Sequence, residues 1–264
     1  MANELEQLVL KKAQSWLDGH YDEATKKQVK YLMDNDMKEL VESFYKDLEF
    51  GTGGLRGIMG VGTNRMNKYT IGAATQGLAD YLKQQFPGEE ISVVIGCDVR
   101  HNSDVFSRMC AEVLSANGIK AFLFDGFRPT PEISFAIRFL HAKSGIIITA
   151  SHNPPKYNGY KAYWDDGSQV VPPHDKGIID QVAKVRVEDI KFTPNEKLIE
   201  TIGEKVDRAF VEAAVKHGSY DTTGRDDFKL VYTPIHGTSF KAMIPALEPV
   251  SYTHLRAHET CADL

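Results

Sequence analysis

Between residues 91 and 149 three short apolar runs alternate with two helix-length amphipathic segments, and no other feature of the sequence restricts its fold as much. The runs at 91–97, 119–124 and 144–149 are short and rich in β-branched residues, whereas 102–116 and 131–141 repeat their apolar residues at helical spacing. Strands separated by helices of about 10 to 15 residues belong to a parallel sheet rather than to hairpins. The expectation is an α/β fold, with a mixed, mainly parallel sheet between helices. Ligands of such sheets sit beyond the carboxyl ends of the strands. The loops after Cys97, Phe124 and Thr149 are therefore expected to open on one functional edge.

The flanking segments extend this plan. Leu5, Leu8, Val9, Trp16, Leu32, Leu40 and Phe44 recur mostly at three- or four-residue steps, which predicts two or three amphipathic helices. Gly51, Gly53, Gly54, Gly57, Gly60 and Gly62 predict a loop or irregular hairpin before a helix that begins near Asn67. After the central alternation, YKAYW at 160–164 reads as a strand, 173–185 as a helix, 190–195 as a polar connection and 204–217 as a helix. Residues 1–217 thus form a first domain. The polar run 218–227 reads as a linker, and 228–250 as the start of a second, similar domain with a strand at 228–233 and a helix at 239–247. The sequence SYTHLRAHETCADL at 251–264 fits no pattern of that second domain, so a truncated chain with an aberrant tail is expected.

Charge and composition exclude several functions. Lys and Arg number 31 against 36 Asp and Glu, a net charge of −5 that draws in neither nucleic acid nor anionic lipid. Apolar runs fall far short of the roughly 20 residues that span a bilayer, so no membrane insertion is expected. The polar amino terminus lacks the pattern of a secretory signal. Three cysteines without a CxxC pair fit a reducing cytoplasm. Nothing in the pattern speaks to oligomeric state.

The chemistry concentrates in TASHNPPKYNGYK, residues 149–161, directly after the apolar GIIIT. Pro154 and Pro155 can continue neither a ladder nor a helix interior, so the loop is held open. Its serine, Ser151, has three readings: a nucleophile, a phosphate acceptor, or a turn residue bonded to its own backbone. The hydrolase elbow GxSxG is not matched by Thr149, Ala150, His152 and Asn153. If the segment is extended, His152 points away from Ser151 and is a poor acceptor for its proton. Arg56 lies between glycines, and its planar fork suits a phosphate; GTGGLR lacks the third glycine of a dinucleotide fingerprint. Asp98 and Arg100, just past a strand, can pair and support the active edge, with a purely structural ion pair as the simpler account. The adjacent pairs Asp165–Asp166 and Asp226–Asp227 read as exposed turn carboxylates.

These residues carry a resemblance. TASHNPPKYNGYK resembles the active-site serine loop of the α-D-phosphohexomutase family, which includes phosphoglucomutases, phosphomannomutases and related phosphopentomutases. GTGGLRG at 51–57, VVIGCDVRHNS at 93–103 and YTPIHGT at 232–238 follow in the family's order, and WDDGSQVVPPHDKGI at 164–178 is similar to its longer phosphoglucomutase and phosphopentomutase branch. The resemblance implies domain I of that fold and a phosphosugar substrate. It implies a relay in which Ser151 carries a phosphoryl group, hexose 1-phosphate and 6-phosphate interconverting through a sugar bisphosphate. Lys161 resembles the family's proposed general acid and base. Arg56 resembles the arginine beside the phosphoserine, and His152 is a candidate to bind substrate or orient the loop. The implied Mg²⁺ is held by an oxygen of the phosphoserine, here Ser151, and by three carboxylates of a DxDxDR loop in the second domain. No DxDxDR occurs in the sequence. The expectation is an amino-terminal, serine-bearing portion with negligible turnover by itself. The alternatives are a phosphopentomutase and a non-catalytic sugar-phosphate-binding or regulatory domain.

Overall fold

In the computed structural model, which describes residues 2–51, 53–217, 230–247 and 255–257, three helices open the chain: α1 (Ala2–Asp18), α2 (Glu23–Asn35) and α3 (Met37–Phe44). Asp22 and Asp36 start the second and third by accepting hydrogen bonds from the backbone N–H groups of Thr25 and Glu39. Val9, Trp16, Val29, Leu40 and Phe44 meet in a core of their own, as the three- and four-residue spacing requires.

The sheet elements follow as β1 (Gly54–Ile58), α4 (Lys68–Gln85), β2 (Ser92–Cys97), α5 (Ser103–Ala116), β3 (Lys120–Phe124), α6 (Thr130–Phe139), β4 (Ser144–Ile148), β5 (Tyr157–Trp164), α7 (His174–Val182), β6 (Ile199–Ile202) and α8 (Glu204–His217). Six strands lie in the order β1-β5-β4-β2-β3-β6. β2 runs parallel to both β3 and β4, and β3 parallel to β6, while β5 is antiparallel to β4 and β1. The mixed, mainly parallel sheet is the one expected from the alternation.

Strand side chains point alternately to two faces, and both are covered. Ile95, Ile146 and Tyr160 pack with Ile71 and Leu78 of α4 and Leu114 of α5. Their neighbours Val94, Ile147 and Tyr163 pack with Ile133 and Ile137 of α6 and Val206 of α8. Each fully buried Ile or Leu contributes about 1.5–3 kcal/mol of hydrophobic stabilisation. Two-sided burial explains why β2 and β4 read as near-continuous apolar runs.

Two elements differ from the expectation. The glycine-rich segment is not a loop throughout: residues 54–58 form β1, paired with β5 from Gly54 opposite Lys161 to Ile58 opposite Tyr157. Leu55 is its one core anchor, and the glycines allow the strand to lie close against β5. β6 has no apolar run to announce it, because only Ile199 and Ile202 face inward while Glu200 and Thr201 are exposed on the sheet edge. The helix after the glycines begins where expected, with the Asn67 side chain capping α4 through Tyr69 and Thr70 N–H.

Beyond α8, β7 (Leu230–Tyr232) and α9 (Phe240–Leu247) occupy the segments expected as strand and helix, and β8 (Leu255–Ala257) pairs in parallel with β7. The linker at 218–227 lies outside the described residues, as does the tail apart from the backbone of 255–257. Among the described residues no helix is long and apolar enough to cross a membrane.

Candidate active site

The carboxyl ends of β2 and β4 and the amino end of β5 bring three of the sequence motifs, those at 51–57, 93–103 and 149–161, to one edge. Thr149 follows β4, its backbone N–H donating to Gly159 O at 2.9 Å, and Ser151 projects exposed from the loop beyond. Ser151 has φ +56°, in the left-handed region that an L residue adopts at a cost of about 1–3 kcal/mol. The loop at this point is therefore not extended. The expectation that His152 points away from the serine fails for that reason, and Ser151 Oγ lies 3.5 Å from His152 Nδ1, at the outer limit of a hydrogen bond.

The strained residue is held on both sides. Its N–H donates to Thr149 Oγ1 at 3.0 Å, and Thr149 Oγ1 donates to Asp98 Oδ2 at 2.5 Å. Its carbonyl accepts from Arg100 Nη2 at 2.5 Å, the same nitrogen that donates to Asn153 O at 2.6 Å. Arg100 Nη1 donates to Pro154 O at 3.1 Å and Tyr157 O at 3.2 Å, and Arg100 Nε lies 3.4 Å from Asp98 Oδ2. The Asp98–Arg100 ion pair read from the sequence exists, and it grips the serine loop. Thr149 and Asn153 had no assigned role in the sequence. Thr149 carried a signal all the same, a threonine two residues before the serine in a turn-forming segment.

Arg56 and Lys161 reach the same edge through strand register. Arg56 stands opposite Gly159, and Gly54 opposite Lys161. Facing residues of an antiparallel pair share a sheet face, so Arg56 and Lys161 are diagonal neighbours across the side-chain-free Gly159. Leu55 and Tyr160 point to the opposite, buried face. Arg56 is exposed, and its Nη1 donates to Asn153 Oδ1 at 3.0 Å. Lys161 is half-buried, and its ammonium makes no hydrogen bond or ion pair among the described residues. Two cations and an exposed hydroxyl thus border one open edge, an arrangement suited to a phosphate group.

The loop after Phe124 reaches the same end of the sheet, since Arg128 N–H donates to Cys97 O at 3.1 Å, but it carries an internal charge network. The fully buried Arg128 donates through Nε and Nη2 to the two carboxylate oxygens of Asp207, each at 2.8 Å, and through Nη2 to Asp125 Oδ1 at 2.8 Å. Lys241 of α9 reaches Asp125 at 3.2 Å. Glu132, fully buried, lies 3.6 Å from Arg128 Nε with neither carboxyl oxygen hydrogen-bonded. Burial first, and then the neighbouring Asp207, push its carboxyl up to about 8. Burial works the same way on Asp207, but the hydrogen bonds and positive charge of Arg128 outweigh it and hold that carboxyl below the usual range. Cys97 and Cys110 are buried free thiols, pushed up to about 11 and about 12 by desolvation and so unreactive. Cys261 lies outside the described residues.

The described residues by themselves supply no carboxylate cage for Mg²⁺. No cluster of three His, Cys, Asp or Glu side chains placed to hold a metal occurs among the described residues. Asp98, the nearest carboxylate in the network, already serves Thr149, Arg100 and Ser103. Asp226 and Asp227 lie outside the described residues.

The family model for phosphoglucomutase/phosphomannomutase, alpha/beta/alpha domain I, matches residues 47–189, more than half of the chain and the whole of this edge. The chain belongs to that family. It is 37% identical over 244 residues to a protein of Schizosaccharomyces pombe named probable phosphoribomutase, covering 88% of this chain and 41% of the relative. A Staphylococcus haemolyticus phosphoglucomutase is 33% identical, with 84% and 41% covered, and the human phosphopentomutase 35% identical, with 84% and 39% covered. A Thermus thermophilus structure described as that of a "putative phosphomannomutase" superposes with a TM-score of 0.67 at 27% identity, covering 80% of this chain and 46% of that one. The chain thus spans about two fifths of the length of the curated relatives it matches.

Proposed function

We propose that Ser151 is the phosphoryl carrier of a phosphosugar mutase and that this chain is its serine-bearing part. The observation that supports the reading most directly is an exposed serine hydroxyl, held in a left-handed backbone conformation, on an edge shared with Arg56 and Lys161. In the proposed relay the bond between phosphorus and Ser151 Oγ breaks as a sugar hydroxyl oxygen bonds to phosphorus, giving a sugar bisphosphate. The bisphosphate then turns over and returns its other phosphoryl group to Ser151. Arg56 binds the phosphate oxygens, Lys161 exchanges the proton of the attacking or leaving hydroxyl, and His152 contacts substrate beside the serine. Mg²⁺ bound at an oxygen of the phosphoserine would neutralise charge there, with Ser151, through its phosphate, the residue of this chain that would hold it.

Hexose 1-phosphate and 6-phosphate are the proposed pair, and the cytoplasm the proposed compartment. Pentose phosphates are the second reading, favoured by the names of the Schizosaccharomyces and human relatives. The test is incubation of the chain with glucose 1,6-bisphosphate or ribose 1,5-bisphosphate and Mg²⁺, followed by intact mass and peptide mapping. One added phosphoryl group on Ser151 is expected, and the faster donor identifies the sugar. No label from either donor would sink the carrier assignment and leave a non-catalytic binding domain.

A further inference from the structure

Two arginines border the serine loop, and their hydrogen bonds divide the work between them. A guanidinium has five N–H groups. In Arg100 the four on Nη1 and Nη2 meet four backbone carbonyls, those of Ser151, Asn153, Pro154 and Tyr157, while Nε is buried 3.4 Å from Asp98 Oδ2 without a hydrogen-bond partner. No exposed donor remains for a phosphate. Among the described residues Arg56 makes a single bond, to the Asn153 side chain, and its other donors stay open.

Asp98 ties the arrangement together. Its Oδ2 accepts from Thr149 Oγ1, which in turn accepts the Ser151 N–H, and the same oxygen faces the Arg100 guanidinium that holds the Ser151 carbonyl. Its Oδ1 accepts from Arg100 N–H at 3.1 Å and from Ser103 Oγ at 3.1 Å, at the start of α5. Ser103 Oγ also accepts from the buried Asn158 side chain, which donates to His101 O as well. Both peptide bonds of a strained residue are thus pinned to one carboxylate, itself fastened to a helix and to β5.

We infer that Asp98 and Arg100 are positioning residues that fix the direction of the Ser151 hydroxyl, and that Arg100, despite its charge and place, is not a phosphate ligand. The catalytic part of this inference rests on the mutase reading; the mechanical part does not. A left-handed serine left to itself relaxes to ordinary backbone conformations, and its Oγ swings away from the edge where Arg56 and Lys161 stand. Replacing the clamp therefore lowers the rate of phosphoryl transfer without weakening the donor's binding.

The experiment follows transfer from glucose 1,6-bisphosphate to Ser151 over a range of donor concentrations, alongside amide exchange of residues 149–157, in the unaltered chain and in Arg100→Ala, Arg100→Lys, Thr149→Val and Arg56→Ala. Arg100→Ala is expected to speed exchange at Ser151, Asn153 and Tyr157 by about tenfold. It should lower the saturating transfer rate by about a hundredfold while half-saturation shifts less than about twofold. Arg100→Lys, with a point charge in place of the fork, restores only part of either. Thr149→Val keeps its shape, loses the acceptor for Ser151 N–H, and should raise exchange at that amide even if Arg100→Ala folds poorly. Arg56→Ala should show the converse pattern, weaker half-saturation with unchanged exchange. Full rescue by lysine, or a rise in half-saturation alone, would make Arg100 a phosphate ligand and overturn the inference. Unchanged exchange in both Arg100→Ala and Thr149→Val would also overturn it. If the unaltered chain takes up no phosphoryl group, the mutase reading fails, and the exchange arm still decides the clamp.

Discussion

Arg56 Nη1 donates to Asn153 Oδ1 at 3.0 Å, joining residues 97 apart in the sequence across the open edge of the sheet. The bond is exposed and links two side chains, so it contributes little to stability, at most about 1 kcal/mol. Its consequence is direction: it keeps the remaining Arg56 donors over the approach to Ser151. Arg56→Ala should raise the bisphosphate concentration for half-maximal labelling by about tenfold, the lower range for a lost charge-assisted contact. The thermal midpoint should stay within a few degrees. Unchanged half-saturation would remove Arg56 from phosphate binding.

Gly159 is where β5 admits the start of the serine loop. A Cβ there would meet Thr149 O at 2.5 Å and Leu55 O at 3.1 Å, both backbone atoms in the sheet that cannot rotate away. Gly159→Ala should cost about 2–3 kcal/mol, lowering the melting temperature by about 5–10 °C. Gly51→Ala is the control, because its Cβ would meet only Gly54 O at 3.8 Å. Equal melting temperatures for the two would mean that the loop start moves freely.

The parallel core was legible because burial on both faces leaves continuous apolar runs such as 93–95 and 146–148, with helix-period segments between them. β1 was not, because its glycines describe an edge shaped by close approach to β5, which no local pattern reveals. β6 was hidden by its polar outer face. The site divides in the same way. Ser151, Arg56, Lys161 and His152 were legible through motif resemblance, and the register of β1 against β5 explains why Arg56 and Lys161 meet. The roles of Thr149 and Arg100 depend on carbonyl and hydroxyl positions in a left-handed turn. Reasoning from an extended backbone misplaced His152 for the same reason.

The positive φ of Ser151 separates the hydroxyl's contribution from the backbone's. Ser151→Ala and Ser151→Gly should both abolish labelling by bisphosphate, since neither has an oxygen to accept phosphorus. The two should differ in stability. Glycine adopts φ +56° freely, so Ser151→Gly should match or exceed Ser151→Ala by about 1 kcal/mol in urea denaturation. A phosphoryl group that persists on either variant would move the acceptor to another residue.

Glu132 sets a pH dependence. Its carboxyl is fully buried on α6 and faces Arg128 from the preceding loop, Asp207 from α8 and, more distantly, Lys241 from α9. Arg128 is already balanced by Asp207 and Asp125, so burial beside Asp207 dominates and carries the carboxyl from its ordinary 4.5 up to about 8. Between those values the folded chain keeps a proton that the unfolded chain has released. Stability from this group therefore falls as pH rises through that window and levels off above about 8. Asp207 acts elsewhere: its carboxyl is held low, so its contribution is lost only in acid, below the usual carboxylate range. In urea titrations the unaltered chain should lose about 1–3 kcal/mol more than Glu132→Gln between pH 6 and pH 8. The glutamine variant stays neutral throughout, and the histidines, common to both chains, cancel in the comparison. Parallel losses in the two chains would mean that Glu132 is ionised in the folded state at neutral pH, with its charge compensated by Arg128.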